Sequence, residues 1–139
     1  MVKKPITQAE FAAAVAAVAA VGSGGLDRNT TQSVVRTTLR WLAQIQPGHT
    51  VEIRVPPFAA VQAIDGPRHT RGTPPNVVEM DGGTWLDLVV GRLSWHEAVE
   101  QGRAHASGLR ADLAGCFPMT SPTAMTSPTA MTSPPMDGA

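Results

Sequence analysis

The chain has 139 residues, which is enough for one domain with a modest core. Its hydrophobic fraction of 42% is that of an ordinary soluble domain, and its 11 basic residues balance 11 acidic ones. This balance argues against a dedicated nucleic-acid or anionic-membrane surface. The single cysteine excludes an internal disulfide, and no apolar run reaches the roughly 20 residues of a membrane helix.

The first predicted element is an Ala-rich helix. Thr7 followed by Glu10 fits a capping box, in which each side chain accepts a hydrogen bond from the backbone N–H of the other residue. The alanines that follow favour a helix. They are too weakly hydrophobic for a secretory signal, so we predict a soluble helix in a cytoplasmic protein. Gly22–Gly25 ends the helix, and without a following Gly-Lys-Ser/Thr it is predicted to be a flexible joint instead of a phosphate loop.

A second helix and two strands are predicted next. Apolar residues recur at helical spacing over Asn29–Gln46, with Asn29 as the predicted cap. Apolar and polar residues alternate in Thr50–Val55, which predicts a half-buried strand, and Phe58–Ile64 predicts another. Asp65–Pro75 is rich in Gly, Pro and charged residues and is therefore predicted to be a loop.

The following segment predicts a strand and two short helices. Asn76–Met80 is the predicted third strand. Capping boxes place the starts of the two helices within two residues of Thr84 and Ser94. Gly91 and Gly102 are the predicted stops, because glycine adopts the conformation that ends a helix.

Three further features complete the chain. Arg103–Ser107 alternates, which predicts a strand with Ala104 and Ala106 facing the core. Leu109–Gly115 is predicted to be a last short helix. From Met119 onward the chain repeats Met-Thr-Ser-Pro, and because prolines block regular structure and apolar bulk is scarce, this tail is predicted to be disordered.

Two stretches carry a likeness to a known family. The first is the run Arg54–Gln62, which continues through Gly66–Glu79. The second is an ending with an acidic residue before a helix, a Gly-Arg turn, an Ala on the next helix, a Gly before the last strand and a small loop: Asp81, Gly91-Arg92, Ala98, Gly102, Arg103–Ser107 and Gly108. In these features residues 30–118 resemble a bacterial branch of the sterol-carrier family.

The resemblance implies an α+β fold and a division of the chain into three parts. A small, largely antiparallel sheet would be covered by helices over residues 30–46, 85–91 and 95–101. The parts are an N-terminal helix with its joint (1–25), a sterol-carrier-like domain (26–118) and a disordered tail (119–139).

The resemblance also implies a function. It implies that the domain carries a lipid or sterol-like hydrophobic small molecule in an apolar cavity and catalyses nothing. Two alternatives stay open. One is an accessory domain of a thiol-dependent isomerase or transferase system, and the other is a structural or oligomerising module with a filled core.

Six large apolar residues are the candidates for the cavity wall. A ligand pocket between helix and sheet would be mostly apolar with few polar groups. The predicted wall consists of Trp41, Ile45, Phe58, Val61, Trp85 and Val89. Plain core packing is the simpler explanation for any single tryptophan among them.

The loop residues Arg68, His69 and Arg71 are the candidates for the cavity mouth. Guanidinium groups form forked hydrogen bonds to carboxylate or phosphate, so the loop would orient a polar head group. The alternative is that these side chains pair with Asp65, Glu79 or Asp81 and fasten the loop to the domain.

The sequence offers little for other chemistry. Its four histidines have no zinc-site spacing, and it contains no G-x-S-x-G elbow for a serine nucleophile. We therefore expect no catalysis, no metal and no cofactor. Cys116 fits a buried structural cysteine better than a reactive thiolate. The expected partner is a hydrophobic small molecule, and the sequence leaves a homodimer open.

Overall fold

The structure, a computed structural model, describes residues 4–66 and 76–119. Its helices are α1 (Gln8–Val21), α2 (Arg28–Ile45), α3 (Gly82–Val90) and α4 (Trp95–Glu100). Its strands are β1 (Val51–Val55), β2 (Ala59–Ala63), β3 (Asn76–Met80) and β4 (Ala104–Ser107). Most of the predicted loop and the predicted tail beyond Met119 lie outside the described residues, so the prediction of a disordered tail stays a prediction.

The four strands form one sheet in the order β2-β1-β3-β4. Two of the pairings are antiparallel, β1 with β2 and β3 with β4, while β1 and β3 are parallel. The parallel pair requires the chain to cross from β2 past the start of β1 to β3, which needs a long connection. Both described ends of that connection lie at Thr50, where Asn76 Nδ2 donates to the Thr50 carbonyl over 2.9 Å and Gly66 lies beside the Thr50 side chain.

One face of the sheet is apolar and buried. Val51, Ile53 and Val55 are all 0% exposed, because alternate residues of a strand point to the same face. The opposite face is polar. There the Arg54 guanidinium forms salt bridges with Glu52 (3.1 Å) and Glu79 (4.0 Å). The predicted α+β fold is confirmed, with a mixed sheet that is antiparallel in two of its three pairings.

The helices cover the buried face in layers. α2 packs on β2, α3 packs on α2, and α1 packs on both of those helices. None of the helices in the described ranges combines the length and the apolar character needed to cross a bilayer. The core of the domain therefore lies between the sheet and the α2–α3 pair, with α1 as an outer element.

Two predicted capping boxes are confirmed. The Thr7 hydroxyl accepts from the Glu10 N–H while the Glu10 carboxylate accepts from the Thr7 N–H, and Ser94 and Glu97 do the same at the start of α4. The stop at Gly91 is also confirmed. Its φ of 83° is a left-handed conformation that glycine adopts without strain.

Two predicted caps are wrong. α2 and α3 begin ahead of Asn29 and Thr84, because aspartates further upstream cap them. The Asp27 carboxylate accepts from the Thr30 N–H over 2.7 Å, and the Asp81 carboxylate accepts from the Thr84 N–H over 2.8 Å. α3 still starts within two residues of Thr84, so the predicted helix pair with a break between its members is confirmed.

The end of the domain differs from the prediction in two places. Ala104 is buried as predicted, but Ala106, two residues further along the edge strand β4, is exposed. The predicted helix over Leu109–Gly115 is absent from this described segment. In its place Asp112 accepts from the Ala114 N–H over 2.9 Å and starts a single 3₁₀ turn, Ala114–Cys116.

Met119 belongs to the folded domain and not to the tail. It is 0% exposed, and its N–H donates to the Val89 carbonyl over 2.7 Å.

We expect Met119→Ala to cost about 2–5 kcal/mol of unfolding free energy, as other buried Met→Ala changes do. Deleting residues 120–139 should leave the melting temperature unchanged. Thermal melts of both variants test this, and a drop of several degrees on deletion would mean that the tail packs on the domain.

Candidate ligand-binding site

The first pair of predicted wall residues lies under α1. Trp41 and Ile45 are one turn apart on α2 and so share a face. Trp41 is buried and stacks on Phe11 of α1, with ring centroids 5.0 Å apart and an interplanar angle of 17°. Ile45 is half-buried against the core. Trp41 therefore faces α1, and Ile45 lies one turn along the same side of α2.

The second pair lies inside the core. Trp85 and Val89 are one turn apart on α3, and both are 0% exposed. The Trp85 Nε1 donates to the Thr38 Oγ1 over 2.8 Å, and the Trp85 ring meets Phe117 edge to face with centroids 5.6 Å apart. The Trp85 ring is thus packed against Phe117, and its N–H is hydrogen-bonded to Thr38, both within the protein.

The third pair lies on the edge strand and its turn. Val61 faces the core side of β2 opposite the buried Ile53, and it is half-buried. Phe58, in the turn between β1 and β2, is half-buried as well. The six predicted wall residues therefore occupy three places around α2, and the structure does not bring them together around one described space.

A groove lies beside Phe58. It has a volume of about 380 Å³ and is lined by Arg54, Pro56, Pro57, Phe58, Ala59, Ala60 and Glu79. We call it the Phe58 groove. Its volume falls in the range of small-molecule sites, and five of its seven lining residues are apolar, but it is a groove open to solvent and not an enclosed cavity. Pro56 and Pro57 line it. Proline has no N–H to donate to a strand ladder, so it is tolerated in the turn between β1 and β2, where no ladder bond is needed.

Two guanidinium groups of α2 flank Phe58. The Arg28 guanidinium carbon lies 6.0 Å from the centroid of the Phe58 ring, and Arg36 Nε donates to the Phe58 carbonyl over 3.2 Å. Arg54 is engaged by Glu52 and Glu79. Within the described ranges, Arg28 has no carboxylate at salt-bridge distance, so its charge is available to an anionic group.

Gly82 allows the Phe58 ring to pack against the start of α3. A Cβ at Gly82 would lie 2.8 Å from Phe58 Cε2, closer than such atoms approach, whereas the neighbouring Gly83 has no contact shorter than 3.7 Å. The absence of a side chain at Gly82 therefore sets the position of Phe58.

The predicted mouth residues Arg68, His69 and Arg71 lie outside the described residues. Their role stays a prediction. The sequence analysis missed Arg28, Arg36 and Gly82, which are distant from Phe58 in the chain. Only the pairing of the strands with α2 and α3 brings these residues together, so no local motif could have indicated them.

Cys116 is a buried thiol. It is 6% exposed, and burial raises its pKa to about 11, with the nearby Asp112 charge adding to the effect. The neutral thiol is therefore the form present near pH 7, and Cys116 is poorly suited to act as a nucleophile. Among the described residues no group of three or more His, Cys, Asp or Glu side chains is placed to hold a metal ion.

The thiol should react slowly with alkylating reagents in the folded protein. A pKa of about 11 against an ordinary value of 9.0 means about 100-fold less thiolate at pH 8. The unfolded thiol ionises near its ordinary pKa of 9.0, whereas the folded thiol stays neutral until about pH 11. The contribution of the neutral Cys116 thiol to folding stability is therefore complete below about pH 9 and is lost as the pH rises toward 11. Iodoacetamide labelling at pH 8, with and without denaturant, measures the difference, and equal rates would contradict it.

A comparison with protein families identifies the fold. The chain belongs to the family described as bacterial SCP ortholog, whose model matches residues 27–119. The predicted resemblance to a bacterial sterol-carrier-like family is thereby confirmed. No curated protein matches the chain. The match begins at Asp27, the cap of α2, and ends at the buried Met119, so α1 lies outside it.

Proposed function

We propose that the protein binds a lipid-like hydrophobic small molecule in the Phe58 groove and catalyses no reaction. Family membership supports the class of ligand. The observation that carries the site is the half-buried Phe58 in a groove lined mostly by apolar residues. The Arg28 guanidinium does not line the groove, but it lies 6.0 Å from the Phe58 ring centroid, where it could meet an anionic head group that extends past the ring. An acyl chain with a carboxylate or phosphate end fits this combination of surfaces.

Magnitudes indicate that the head group matters. Burying about 100 Å² of apolar ligand surface in this open groove supplies about 2–3 kcal/mol. A Kd of 1 μM requires about 8 kcal/mol. A hydrogen bond to a charged group adds about 1.5–3 kcal/mol, so a head group that reaches Arg28 would contribute as much as the apolar part. The predicted loop cations, Arg71 among them, would add to this if they reach the same ligand.

The filled core supports a second candidate function. Trp85 and Val89 are enclosed by the protein's own side chains, as expected of a structural module. Such a module would not need Phe58 to be half-exposed beside arginines, which is why we favour ligand binding. For the accessory-domain alternative, the raised pKa of Cys116 means that any reactive thiol would come from another protein.

A pair of neighbouring glycines tests the site. Gly82→Ala would push the Phe58 ring aside, and we expect a cost of about 1–3 kcal/mol in stability and a clear loss of affinity for a fluorescent fatty-acyl probe. Gly83→Ala meets only ordinary contacts and is the matched control, with unchanged or slightly raised stability. Fluorescence titration and thermal melts of both variants supply the data. Equal probe affinities in the two variants would remove the groove from the proposal.

A further inference from the structure

Trp41 carries a buried hydrogen-bond donor without a partner. Its side chain is 5% exposed, and within the described parts of the chain its Nε1 is the buried side-chain polar atom that has no hydrogen-bond partner. Trp85 is just as buried, but its Nε1 is paired with Thr38. Buried donors are nearly always satisfied because an unpaired one costs stability. The unpaired Trp41 N–H therefore points to a second state in which it meets an acceptor.

α1 covers the ring that carries this donor with few apolar contacts. Phe11 stacks on the Trp41 ring, and apart from Phe11 the buried side chains of α1 are the smaller Ala14 and Val18. The rest of the helix is mostly exposed alanine. A helix that buries only Phe11, Ala14 and Val18 along its length opens more readily than the core beneath it.

Polar contacts fasten the chain at the start of α1. The Gln44 side chain accepts from the Ile6 N–H and donates to the Ile6 carbonyl, each over 2.8 Å. The Arg40 guanidinium donates to the Lys4 carbonyl. Both Gln44 hydrogen bonds are partly buried, and near the other end of the helix the Arg92 guanidinium donates to the Ala19 carbonyl over 3.0 Å. Water can replace each of these hydrogen bonds when α1 moves away, at little net cost per bond.

The family comparison separates α1 from the domain it covers. The matched region starts at Asp27, so the Trp41 surface belongs to the shared domain and α1 does not. α1 is thus an added segment placed over an apolar surface that contains an unused donor.

We propose that α1 is a displaceable cover over a second binding surface, formed by Trp41 and Ile45 on α2. The ligand would be an acyl-type molecule whose apolar part replaces Phe11 and whose carboxylate or carbonyl oxygen accepts a hydrogen bond from Trp41 Nε1. The surface is separate from the Phe58 groove, whose lining includes neither Trp41 nor Ile45, so the two proposals can be tested independently.

The indole N–H resonances of the full chain test the donor. The Trp41 resonance is assigned by its loss in Trp41→Phe. We expect laurate to move it downfield while the Trp85 resonance, already hydrogen-bonded to Thr38, stays in place. Dodecyltrimethylammonium has the same chain length but no acceptor, and it should not produce the downfield shift. Both probes are used below their micelle concentrations.

Variants that loosen α1 test the cover. Phe11→Ala removes the stacked ring, and Gln44→Ala removes the contacts to Ile6 with little effect on packing. Apparent affinity rises with the fraction of open molecules, so we expect about tenfold tighter laurate binding at the Trp41 surface in either variant. Gln62→Ala is the matched control, because Gln62 contacts His49 on the far face of the sheet.

Several results would overturn the inference. One is a Trp41 resonance that laurate leaves unmoved in the wild-type chain and in Gln44→Ala. Another is laurate affinity that is unchanged or weaker in both loosened variants. The third is loss of the Trp41 shift in Phe58→Asp, which would show that only one site exists.

Discussion

Phe58→Asp is expected to weaken binding of a fluorescent fatty-acyl probe by about 100-fold. The change removes the aromatic surface beside the groove, whose burial is worth about 1.5–3 kcal/mol, and every 1.4 kcal/mol is a factor of ten in Kd. The new carboxylate would also lie beside Arg28 and Arg36 and compete with an anionic head group. Probe titration at constant ionic strength measures the effect.

The control for this variant is Val99→Asp on α4. Val99 is 42% exposed and does not line the Phe58 groove, so the same charge is introduced without touching the site. We expect wild-type probe affinity in Val99→Asp. Comparable losses in the two variants would assign the effect to net charge, and an unaffected Phe58→Asp would rule out the groove as the binding site.

Trp85→Ala is expected to have the largest effect on stability. Truncating a fully buried tryptophan costs about 3–5 kcal/mol, and here it also leaves the Thr38 hydroxyl without its donor. Since domains are stable by about 5–15 kcal/mol, the loss is a large part of the total. Chemical denaturation monitored by circular dichroism measures it.

Trp95→Ala is the comparison for Trp85→Ala. Trp95 is half-buried and stacks on Phe117 with ring centroids 6.3 Å apart, so its removal should cost clearly less. A Trp85 variant that loses no more stability than the Trp95 variant would contradict the packing described for α3. Such a result would instead favour Trp85 as a ligand-lining residue, as the sequence analysis predicted.

The order and type of the elements were predictable because the signals were local. The capping boxes at Thr7 and Ser94 and the alternation in Val51–Val55 each depend on residues within a few positions of one another. The caps of α2 and α3 were misplaced although their signals are local as well. Asp27 and Asp81, two and three residues upstream of the predicted caps, are the residues whose carboxylates accept from the first turn of each helix.

The candidate site was predictable only in part. Phe58 and Val61 were expected to contact a ligand, and the structure leaves both half-buried. Whether they do so is still to be tested, as it is for Trp41, Ile45, Trp85 and Val89. The contribution of α2 was missed, because Arg28 and Arg36 look like ordinary solvated charges until β2 is placed beside that helix. Alternation alone also failed at Ala106, which is exposed although Ala104 on the same strand is buried.

The three parts of the α2 surface suggest a division of roles. The face toward α3 is packed by Trp85 and holds the domain together. The face toward β2 ends at Phe58 and its flanking arginines, where we place the ligand. The face toward α1 carries the unpaired Trp41 donor. Variants on the α3 face should therefore change mainly stability, those near Phe58 mainly acyl binding, and those under α1 mainly the displacement of that helix.

Native mass spectrometry of freshly purified protein tests the central claim most directly. A protein that binds a lipid-like molecule should give, beside the mass of the chain, a second species heavier by one small molecule that is lost on collisional activation. Incubation with a fatty acid should increase that species in the wild-type chain, and Phe58→Asp should bind clearly less of the fatty acid than Val99→Asp, with any remaining ligand assigned to the Trp41 surface. A spectrum with the bare chain alone, before and after incubation, would contradict ligand binding and favour the structural module.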